Sequence, residues 1–299
     1  MKVKKFLAPI LAVLMIATTL VGCTEKSTTP SAGGTTSTGA TQKSKLQKVL
    51  DRGYLLVGTG STNVPWHYKD DKGELVGFDI DMGRIVAKAI FGDPTKVKFV
   101  EQSPDSRIPN LMTDKVDVTF QFMTISPTRL QQVAFSIPYY TEGIGLILPK
   151  GGKYKSYEEM VAAQKSGKNI TIAVLQNVDA ATTVQEMLKG AKDDQYENQG
   201  LVYQAINSGR ADAGAVDLSS IMWLASKQPE KYVDSGFATH PQNYGAAMSP
   251  NDQIWINFIN GVMNDAMTGA TYKLYNDAYL KWFGVKLSEP TIGKPAMYR

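Results

Sequence analysis

The feature that most constrains this chain is an alternation of short strand-like runs with helical patterns, which occurs twice. The strand-like runs lie at 54–58, 97–100, 116–120, 144–148, 170–174 and 211–216, and the helical patterns at 80–90, 156–165, 180–188 and 218–226. Such alternation predicts an α/β fold with open, mostly parallel sheets and helices on both faces. The second set starts after Gly143, and about 240 globular residues from Lys45 onward are enough for two cores. We therefore predict two lobes, with two further helices between 253 and 283.

The N-terminus has the pattern of an export signal. Three lysines precede an apolar run at 6–22, which is short for a membrane span and typical of a signal-peptide hydrophobic region. The run ends in LVGC, which resembles the lipobox of bacterial lipoproteins, where the cysteine carries the lipid. Cys23 is the only cysteine and has no partner for an internal disulfide. We predict a lipoprotein signal peptide at 1–22 and an extracytoplasmic protein anchored to the cell membrane through Cys23. The alternative is an ordinary signal peptide with an incidental cysteine.

Composition after the signal peptide indicates a linker and excludes one class of partner. Residues 24–44 are rich in Ser, Thr and Gly, so residues 23–44 are predicted to form a flexible linker. Residues 1–22 contain three lysines and no acidic residue, so their removal lowers the formal net charge from +4 to +1. A nearly neutral chain without a basic run gives no electrostatic reason to expect nucleic-acid binding.

The segment TISPTRLQQVAFSIPYYTEG, at 124–143, indicates an anion-binding site. It places the hydroxyl of Thr124, a turn-forming Ser126-Pro127 and the guanidinium of Arg129 within six positions. A guanidinium presents a planar fork of donors that suits a carboxylate, and a nearby hydroxyl can complete the set of hydrogen bonds. The segment therefore predicts a binder of small anionic or zwitterionic molecules.

This segment resembles the signature of the family 3 extracellular solute-binding proteins, the amino-acid receptors of ABC importers. The resemblance extends over residues 46–284 through RGYLLVGTG, ELVGFDIDM, SRIPNLMTDKVDV, GRADAGAVD, NYGAAMSP and YLKWFG, in that order. It implies a periplasmic-binding-protein-like fold with two lobes joined by a two-strand hinge and the ligand in the cleft between them. The implied partners are an amino acid and an ABC permease. No cofactor and no metal are expected, and the protein is expected to act as a monomer.

The resemblance also implies a discontinuous first lobe. The predicted bounds are 45–143 and 245–284 for the first lobe, 144–244 for the second lobe and 285–299 for a C-terminal tail. Two thin crossings, near 139–143 and 242–246, then allow hinge closure at a small free-energy cost. Gly143 and Gly245 lie where a hinge needs backbone freedom, and ordinary turn glycines are an equal alternative.

Three residues are implied to hold the common part of an amino acid. In the family, the arginine at the position of Arg129 pairs with the ligand's α-carboxylate, and the hydroxyl at the Thr124 position donates a further hydrogen bond. Asp217 ends a strand-like run and matches the carboxylate that receives the α-amino group. Since Asp217 lies on the opposite lobe, a zwitterion would bridge the lobes and favour the closed state. Asp217 could also serve as the N-cap of the following helix.

Two further positions bear on the ligand's side chain. Arg107 falls where acidic-amino-acid receptors of the family carry an arginine, although members with other preferences carry one as well, and an exposed arginine at a helix start is an equal alternative. Gly60 stands where receptors for glutamine and basic amino acids usually have an aspartate. The pair favours an acidic or small polar amino acid and disfavours Lys, Arg and ornithine.

Three residues depart from the family pattern or stand at variable positions. Asp179 lies in the turn that usually offers backbone N–H groups to the carboxylate, so it either turns away to cap the following helix or meets a positive group of the ligand. Phe122 stands where glycine or serine is common and either narrows the pocket or points into the core. Asn63 stands where a side chain often lies over the ligand. Receptors for glutamine and basic amino acids have an aromatic residue there, so asparagine suggests polar contact in place of stacking.

Two other functions are considered. Cyclohexadienyl dehydratases share this scaffold and the run Phe-Ser-Ile-Pro-Tyr at 135–139, and they need a general acid with a raised pKa. The candidates Asp217, Asp179 and Glu142 lie in no pattern specific to proton transfer, and the histidines have no catalytic or metal-binding spacing. A ligand-sensing module would need a partner to signal. We therefore predict a binding protein and not an enzyme.

Overall fold

The computed structural model describes residues 43–239 and 241–295. The predicted signal peptide, Cys23 and nearly all of the predicted linker lie outside these residues. Among the described residues, no helix combines the length and the apolar character needed to cross a membrane.

Fifteen strands, ten α-helices and one short 3-10 helix (Pro104–Ser106) are present in this part of the chain. The strands are β1 (Leu55–Thr59), β2 (Thr62–Asn63), β3 (His67–Lys69), β4 (Leu75–Val76), β5 (Val97–Glu101), β6 (Val118–Thr119), β7 (Ala134–Phe135), β8 (Tyr140–Glu142), β9 (Ile144–Pro149), β10 (Thr171–Leu175), β11 (Lys192–Tyr196), β12 (Ala213–Asp217), β13 (Tyr232–Ala238), β14 (Gln242–Tyr244) and β15 (Ala247–Met248). The helices are α1 (Lys45–Arg52), α2 (Phe78–Phe91), α3 (Arg107–Met112), α4 (Pro127–Leu130), α5 (Tyr157–Lys165), α6 (Ala180–Met187), α7 (Gln199–Asn207), α8 (Leu218–Lys227), α9 (Gln253–Thr268) and α10 (Tyr272–Phe283).

The strands form one five-stranded sheet in each of two lobes. The first lobe has the strand order β5-β1-β6-β15-β7, in which β5, β1 and β6 are parallel and β15 is antiparallel to both of its neighbours. The second lobe has the order β11-β10-β12-β9-β13, in which β11, β10 and β12 are parallel and β9 is antiparallel to both of its neighbours. Both sheets are therefore mixed, because β9 and β15, the strands that follow each crossing between the lobes, run against the parallel strands.

A two-stranded antiparallel ribbon connects the lobes. It pairs β8 with β14 through Gln242 opposite Glu142, Asn243 opposite Thr141 and Tyr244 opposite Tyr140. The chain thus leaves the first lobe along one strand of the ribbon and returns along the other. The predicted lobe boundaries at 143/144 and 244/245 stay predictions, and each lies next to the end of one ribbon strand.

Capping side chains fix where several helices begin. The hydroxyl of Ser44 accepts a hydrogen bond from the Gln47 N–H at 3.2 Å at the start of α1. Asn198 caps α7 through the Leu201 N–H at 3.0 Å, and Asp252 caps α9 through the N–H of Trp255 at 2.9 Å. Each cap of this kind stabilises a helix by about 1 kcal/mol.

The C-terminal helices α9 and α10 pack against α2 and so return to the core of the first lobe. Trp255 of α9 is fully buried, and its indole N–H donates to the backbone oxygen of Asp117 at 3.0 Å. Trp66 is also fully buried and meets Phe78 and Tyr140 edge to face, with ring centroids 5.7 Å and 4.7 Å apart. Since Tyr140 belongs to the ribbon, this aromatic cluster anchors the ribbon in the first lobe.

The predicted fold class is confirmed: the protein is α/β, with two lobes joined by a two-strand ribbon. The predicted helix at 80–90 corresponds to α2, and the two predicted C-terminal helices correspond to α9 and α10. The strand-like run at 170–174 corresponds to β10, and the one at 211–216 to β12, within a few residues.

Candidate functional site

Two neighbouring cavities lie between the lobes. The main cavity has a volume of about 220 Å³ and is lined by residues that include Arg107, Phe122, Thr124, Ser126, Arg129, Asn177, Asp179, Gln199, Asp217, Gln242 and Tyr244. The side cavity has a volume of about 270 Å³ and is lined by residues that include Gly60, Asn63, His67, Gln102, Gln121, Phe122 and Gln199. The structure therefore brings six of the eight predicted ligand residues to the main cavity and places Gly60 and Asn63 at the side cavity.

Arg129 is held at the main cavity by the short helix α4. Ser126 is the N-cap of this helix, and its hydroxyl accepts from the Arg129 N–H at 3.4 Å. The buried guanidinium donates through Nη1 to the backbone oxygen of Thr124 at 2.9 Å and through Nη2 to Oδ1 of Asn177 at 3.0 Å. Burial lowers the pKa of Arg129, and Asp179 raises it. A guanidinium stays protonated in proteins, so Arg129 is a fixed positive charge at the cavity wall.

Asp179 faces Arg129 and not its own helix. It stands at the N-cap position of α6, but its side chain makes no cap hydrogen bond. Its Oδ2 lies 3.3 Å from Nη2 of Arg129 and accepts from the hydroxyl of Ser126 at 3.1 Å. The capping alternative is therefore not observed: the carboxylate forms an ion pair between the lobes.

The turn before α6 presents acceptors to the cleft. Oδ1 of Asn177 accepts the N–H of Asp179 at 3.0 Å, and the N–H of Ala180 donates to the backbone oxygen of Asn177 at 3.2 Å. These two N–H groups are used inside the turn. The second lobe therefore offers Arg129 an amide oxygen and a carboxylate at the place where the family resemblance implies N–H donors.

Asp217 ends the fully buried strand β12, and its carboxylate is held from the first lobe and from the ribbon. Oδ2 accepts from Nδ2 of Asn63 at 2.9 Å, and Oδ1 accepts from the hydroxyl of Tyr244. The side chain makes no cap hydrogen bond to α8, so it is not the helix cap of the alternative reading. Burial raises the pKa of Asp217 to about 6, although the hydrogen bonds from Tyr244 and Asn63 lower it. Asp217 is thus a positioned acceptor that is mostly ionised at pH 7.

Further hydrogen bonds join the lobes next to Asp217. The hydroxyl of Ser220 donates to Oδ1 of Asn63 at 2.7 Å, and the indole N–H of Trp66 donates to the hydroxyl of Ser219 at 2.8 Å. Ser219 and Ser220 lie in the first turn of α8 in the second lobe. The structure is therefore a closed conformation, in which the start of α8 rests on the segment around β2 and β3.

Glu142 is a second buried carboxyl group near the cleft. It accepts the hydroxyl of Ser219 at 2.5 Å and the N–H of Gly143 at 3.0 Å. Burial and the nearby charge of Asp217 raise the pKa of Glu142 to about 8, against these hydrogen bonds. Glu142 does not line either cavity. It therefore links the ribbon to α8.

Arg107 is buried and not at the surface. Its Nε donates to the backbone oxygen of Pro104 at 2.7 Å and its Nη1 to that of Gln121 at 3.1 Å. The guanidinium lies 5.8 Å from the ring centroid of Phe122. Burial and the like charge of Arg129 lower the pKa of Arg107 to about 9, so the group is still charged at pH 7. The alternative of an exposed arginine at a helix start is not observed.

Phe122 forms part of the wall between the two cavities. Its ring stacks on His67, with centroids 4.5 Å apart and planes 10° apart, and its backbone has a φ of 37°. The N–H of Phe122 donates to Oδ2 of Asp79 at 2.9 Å, and Asp79 also holds Nδ1 of His67 at 2.9 Å. Phe122 therefore both joins the core of the first lobe and faces the cleft, so the two alternatives do not exclude each other.

Gly60 is explained by the position of His67. A Cβ atom at Gly60 would lie 2.7 Å from Cδ2 and 2.8 Å from Nε2 of His67, which is closer than real Cβ contacts. The imidazole thus fills the space that a side chain at position 60 would need. The aspartate implied for receptors of basic amino acids has no room here.

The residues of the main cavity that sequence reasoning missed include Asn177, Gln199, Gln242, Tyr244 and, as a further charged group, Glu186. Gln242 accepts the hydroxyl of Thr124 at 3.1 Å and so engages that predicted ligand donor. Gln199 is buried, and its Nε2 has no hydrogen-bond partner among the described residues. A possible signal for Tyr244 was its place in NYGAAMSP, the motif at the return crossing.

No cluster of three or more potential metal-ligating side chains is present in the described residues. The main cavity is instead lined by two guanidinium groups, three carboxylates (Asp179, Glu186 and Asp217), several amides and hydroxyls, and the rings of Phe122 and Tyr244. Such a set can hold a small polar molecule by charge and hydrogen bonds.

Two α/β lobes that close on a charged cleft across a two-strand ribbon define a solute-binding protein of the periplasmic type. Comparison with known families agrees, because the model of the bacterial extracellular solute-binding proteins, family 3, matches residues 55–285. The chain belongs to this family, as the sequence resemblance indicated, and its place is outside the cytoplasm.

Relatives and solved structures are similar along most of the chain. The glutamine-binding protein of Geobacillus stearothermophilus is 29% identical over 242 residues, which cover 79% of this chain and 90% of that protein. The L-cystine-binding protein TcyJ of Escherichia coli (strain K12) is 26% identical over 246 residues, with 82% and 88% covered. A mutant of ArgBP from T. maritima is 28% identical with a TM-score of 0.70, covering 81% of this chain and 100% of that one. An ancestral amino-acid-binding protein, described as a precursor of cyclohexadienyl dehydratase, is 32% identical with a TM-score of 0.69, covering 80% and 100%.

Proposed function

We propose that this protein captures an amino acid between its lobes and delivers it to an ABC import permease. The observation that carries the proposal is the placement of Arg129 from the first lobe and Asp217 from the second lobe on one cavity of about 220 Å³. An amino acid carries an anionic and a cationic group close together, so it can contact both lobes at once. Such a ligand binds the closed state better than the open state and shifts the equilibrium towards closure.

The proposed contacts follow from the donors and acceptors present. Arg129 receives the α-carboxylate through its guanidinium, and the hydroxyl of Thr124 turns from Gln242 to donate to the same group. Asp217 receives the α-amino group, because each carboxylate oxygen keeps a second lone pair beside its bond to Asn63 or Tyr244. The names of the relatives, which include glutamine, cystine and arginine binders, support an amino acid as the ligand class.

An acidic or small polar side chain is the proposed preference. Arg107 brings a second buried positive charge to the main cavity, and two of its donors are used by backbone oxygens. A side-chain carboxylate or hydroxyl can accept from the rest of the guanidinium. A cationic side chain finds no aspartate at position 60, where the ring of His67 leaves no room for one.

The proposal includes attachment to the membrane. The LVGC run supports removal of residues 1–22 and a lipid on Cys23, with 23–44 as a linker that keeps the lobes clear of the membrane surface. Closure about the ribbon of β8 and β14 then changes the surface that the permease recognises. One copy of the chain contains both halves of the cleft, which fits a monomer.

A dehydratase acting on prephenate or arogenate is the alternative that a specific observation favours. Asp217 lines the main cavity with its pKa raised to about 6, as a general acid requires. The relatives reported above are named as binding proteins, and Glu142, with the higher pKa, does not face the cavity. Turnover of prephenate or arogenate by the purified protein would establish the enzyme.

Thermal-shift screening of the full chain tests the proposal. The proteinogenic L-amino acids, L-cystine and common dicarboxylates are added one at a time, and binding raises the melting temperature by mass action. We expect a shift with glutamate, aspartate or a small polar amino acid. A shift with arginine or lysine alone contradicts the proposed preference, and no shift with any amino acid contradicts the proposed function.

A further inference from the structure

We propose that Asp179 is a specificity-determining residue that competes with the ligand for Arg129. Its carboxylate occupies a position on the guanidinium that the carboxylate of a bound amino acid needs. Binding is then an exchange of one carboxylate for another. This inference rests on the proposed function, because it assumes that the ligand uses Arg129.

The contact has the geometry of an internal ligand. Oδ2 of Asp179 lies 3.3 Å from Nη2 of Arg129, and the same oxygen accepts the hydroxyl of Ser126 at 3.1 Å. The guanidinium and this hydroxyl therefore already hold a carboxylate on the wall of the main cavity. The side chain of Asp179 comes from the opposite lobe, so in this structure it bridges the lobes at the place where a ligand would bridge them.

The ion pair between Arg129 and Asp179 is strengthened by the burial of Arg129, and the partial exposure of Asp179 allows the pair to separate. The side chain of Arg129 is 6% exposed, so water screens its charge weakly, whereas the side chain of Asp179 is 25% exposed. Asp179 can turn towards solvent without burying its charge elsewhere. Asp179 can also turn to cap α6, because it stands at the N-cap position of this helix and makes no cap hydrogen bond in this structure.

Two backbone N–H groups of the surrounding turn are already used and do not face an anion. The N–H of Asp179 donates to Oδ1 of Asn177, and the N–H of Ala180 donates to the backbone oxygen of Asn177. A carboxylate that approaches Arg129 from the second lobe therefore meets Asp179 and an amide oxygen. The ligand carboxylate must displace the carboxylate of Asp179 from Arg129. Otherwise the negative charge of Asp179 repels it.

Competition lowers apparent affinity in a predictable way. If Asp179 occupies Arg129 most of the time in the ligand-free protein, the apparent dissociation constant rises by the inverse of the free fraction. The effect applies to ligands that use Arg129 through a carboxylate. A ligand whose α-carboxylate is replaced by a carboxamide has little to gain from the removal of Asp179.

The test compares the full chain with Asp179→Asn, which keeps the shape of the side chain and removes its charge. Isothermal titration calorimetry uses the L-amino acid that stabilises the wild-type protein most, and the α-carboxamide of that amino acid. We expect Asp179→Asn to bind the amino acid about tenfold tighter and the carboxamide within about twofold of wild type. The control Glu230→Gln removes one exposed negative charge of the second lobe away from both cavities and is expected to leave both values within about twofold.

Unchanged or weaker binding of the amino acid by Asp179→Asn overturns the inference, as does an equal gain for the carboxamide. Asp179→Thr, which removes the charge with a different side chain, is measured in parallel and decides the matter if the asparagine variant does not fold. Failure of the wild-type protein to bind any amino acid counts against the proposed function. Normal wild-type binding without a gain in the variants counts against the competition alone.

Discussion

Asn63 of the first lobe donates a hydrogen bond from Nδ2 to Oδ2 of Asp217 in the second lobe, at 2.9 Å. The same amide accepts the hydroxyl of Ser220 at 2.7 Å, so one side chain joins the lobes at two points. Both partners are buried. Asn63 therefore orients the carboxylate that we propose for the α-amino group.

Asn63→Ala tests this relationship. The substitution removes a hydrogen bond to a charged, buried acceptor, and such bonds contribute about 1.5–3 kcal/mol. We expect the affinity for the amino acid to fall about tenfold or more by calorimetry. Asn257→Ala, at an exposed position of α9, is the matched control. Equal affinities of the two variants would show that Asn63 does not position Asp217.

The two buried carboxyl groups make stability depend on pH in a definite direction. The folded pKa values of Glu142, about 8, and Asp217, about 6, lie above the unfolded values of about 4.3 and about 3.9. The folded chain therefore binds protons more tightly than the unfolded chain. The contribution of the two carboxyl groups to the free energy of unfolding is present in full below about pH 4. It is lost as the pH rises through about 6 and about 8.

Glu142→Gln isolates this effect. Between about pH 5 and about pH 8, one proton changes the free energy of unfolding by up to about 1.4 kcal/mol per pH unit. We expect urea titrations to show a wild-type stability that falls over this range and a clearly flatter profile for Glu142→Gln. Parallel profiles would mean that Glu142 is ionised in the folded protein throughout.

Gly60→Ala tests the packing of His67. The added Cβ meets the imidazole ring at 2.7 Å, and overpacking of this kind costs about 1–3 kcal/mol. We expect Gly60→Ala to have a lower melting temperature than wild type. We also expect that Gly60→Asp does not bind L-arginine more tightly than wild type. Gly151→Ala is the control, because its added Cβ meets nothing within 4 Å. A Gly60→Ala protein as stable as this control would show that His67 moves aside freely.

The sequence predicted the fold because periodic apolar patterns depend mainly on local burial. β10 and β12 are buried almost throughout and read as continuous apolar runs. β11, with the sequence KDDQY, forms the edge of the second sheet and carries polar side chains, so no apolar pattern marked it. The mixed character of the sheets follows from the double crossing between lobes, which no local pattern encodes.

The candidate site was predictable where the side-chain chemistry indicates the ligand group, as for the guanidinium of Arg129 and a carboxylate, and for the carboxylate of Asp217 and an amino group. Partners from the other lobe were not predictable. The pairing of Arg129 with Asp179 joins residues fifty positions apart through closure of the lobes, and the clash at Gly60 depends on the ring position of His67. Such features arise from tertiary packing, so they became visible only in the structure.

In the proposed function, a zwitterion is held by Arg129 on one lobe and by Asp217 on the other. Calorimetry of the full chain with Arg129→Gln and Asp217→Asn tests this arrangement, with Arg84→Gln, whose side chain is 42% exposed and lies away from both cavities, as a control. We predict that each of the two cleft variants binds the amino acid about a hundredfold more weakly than wild type, because each loses a charge-assisted contact, while the control is unchanged. Wild-type affinity in either cleft variant would show that the ligand is not held by these two charges.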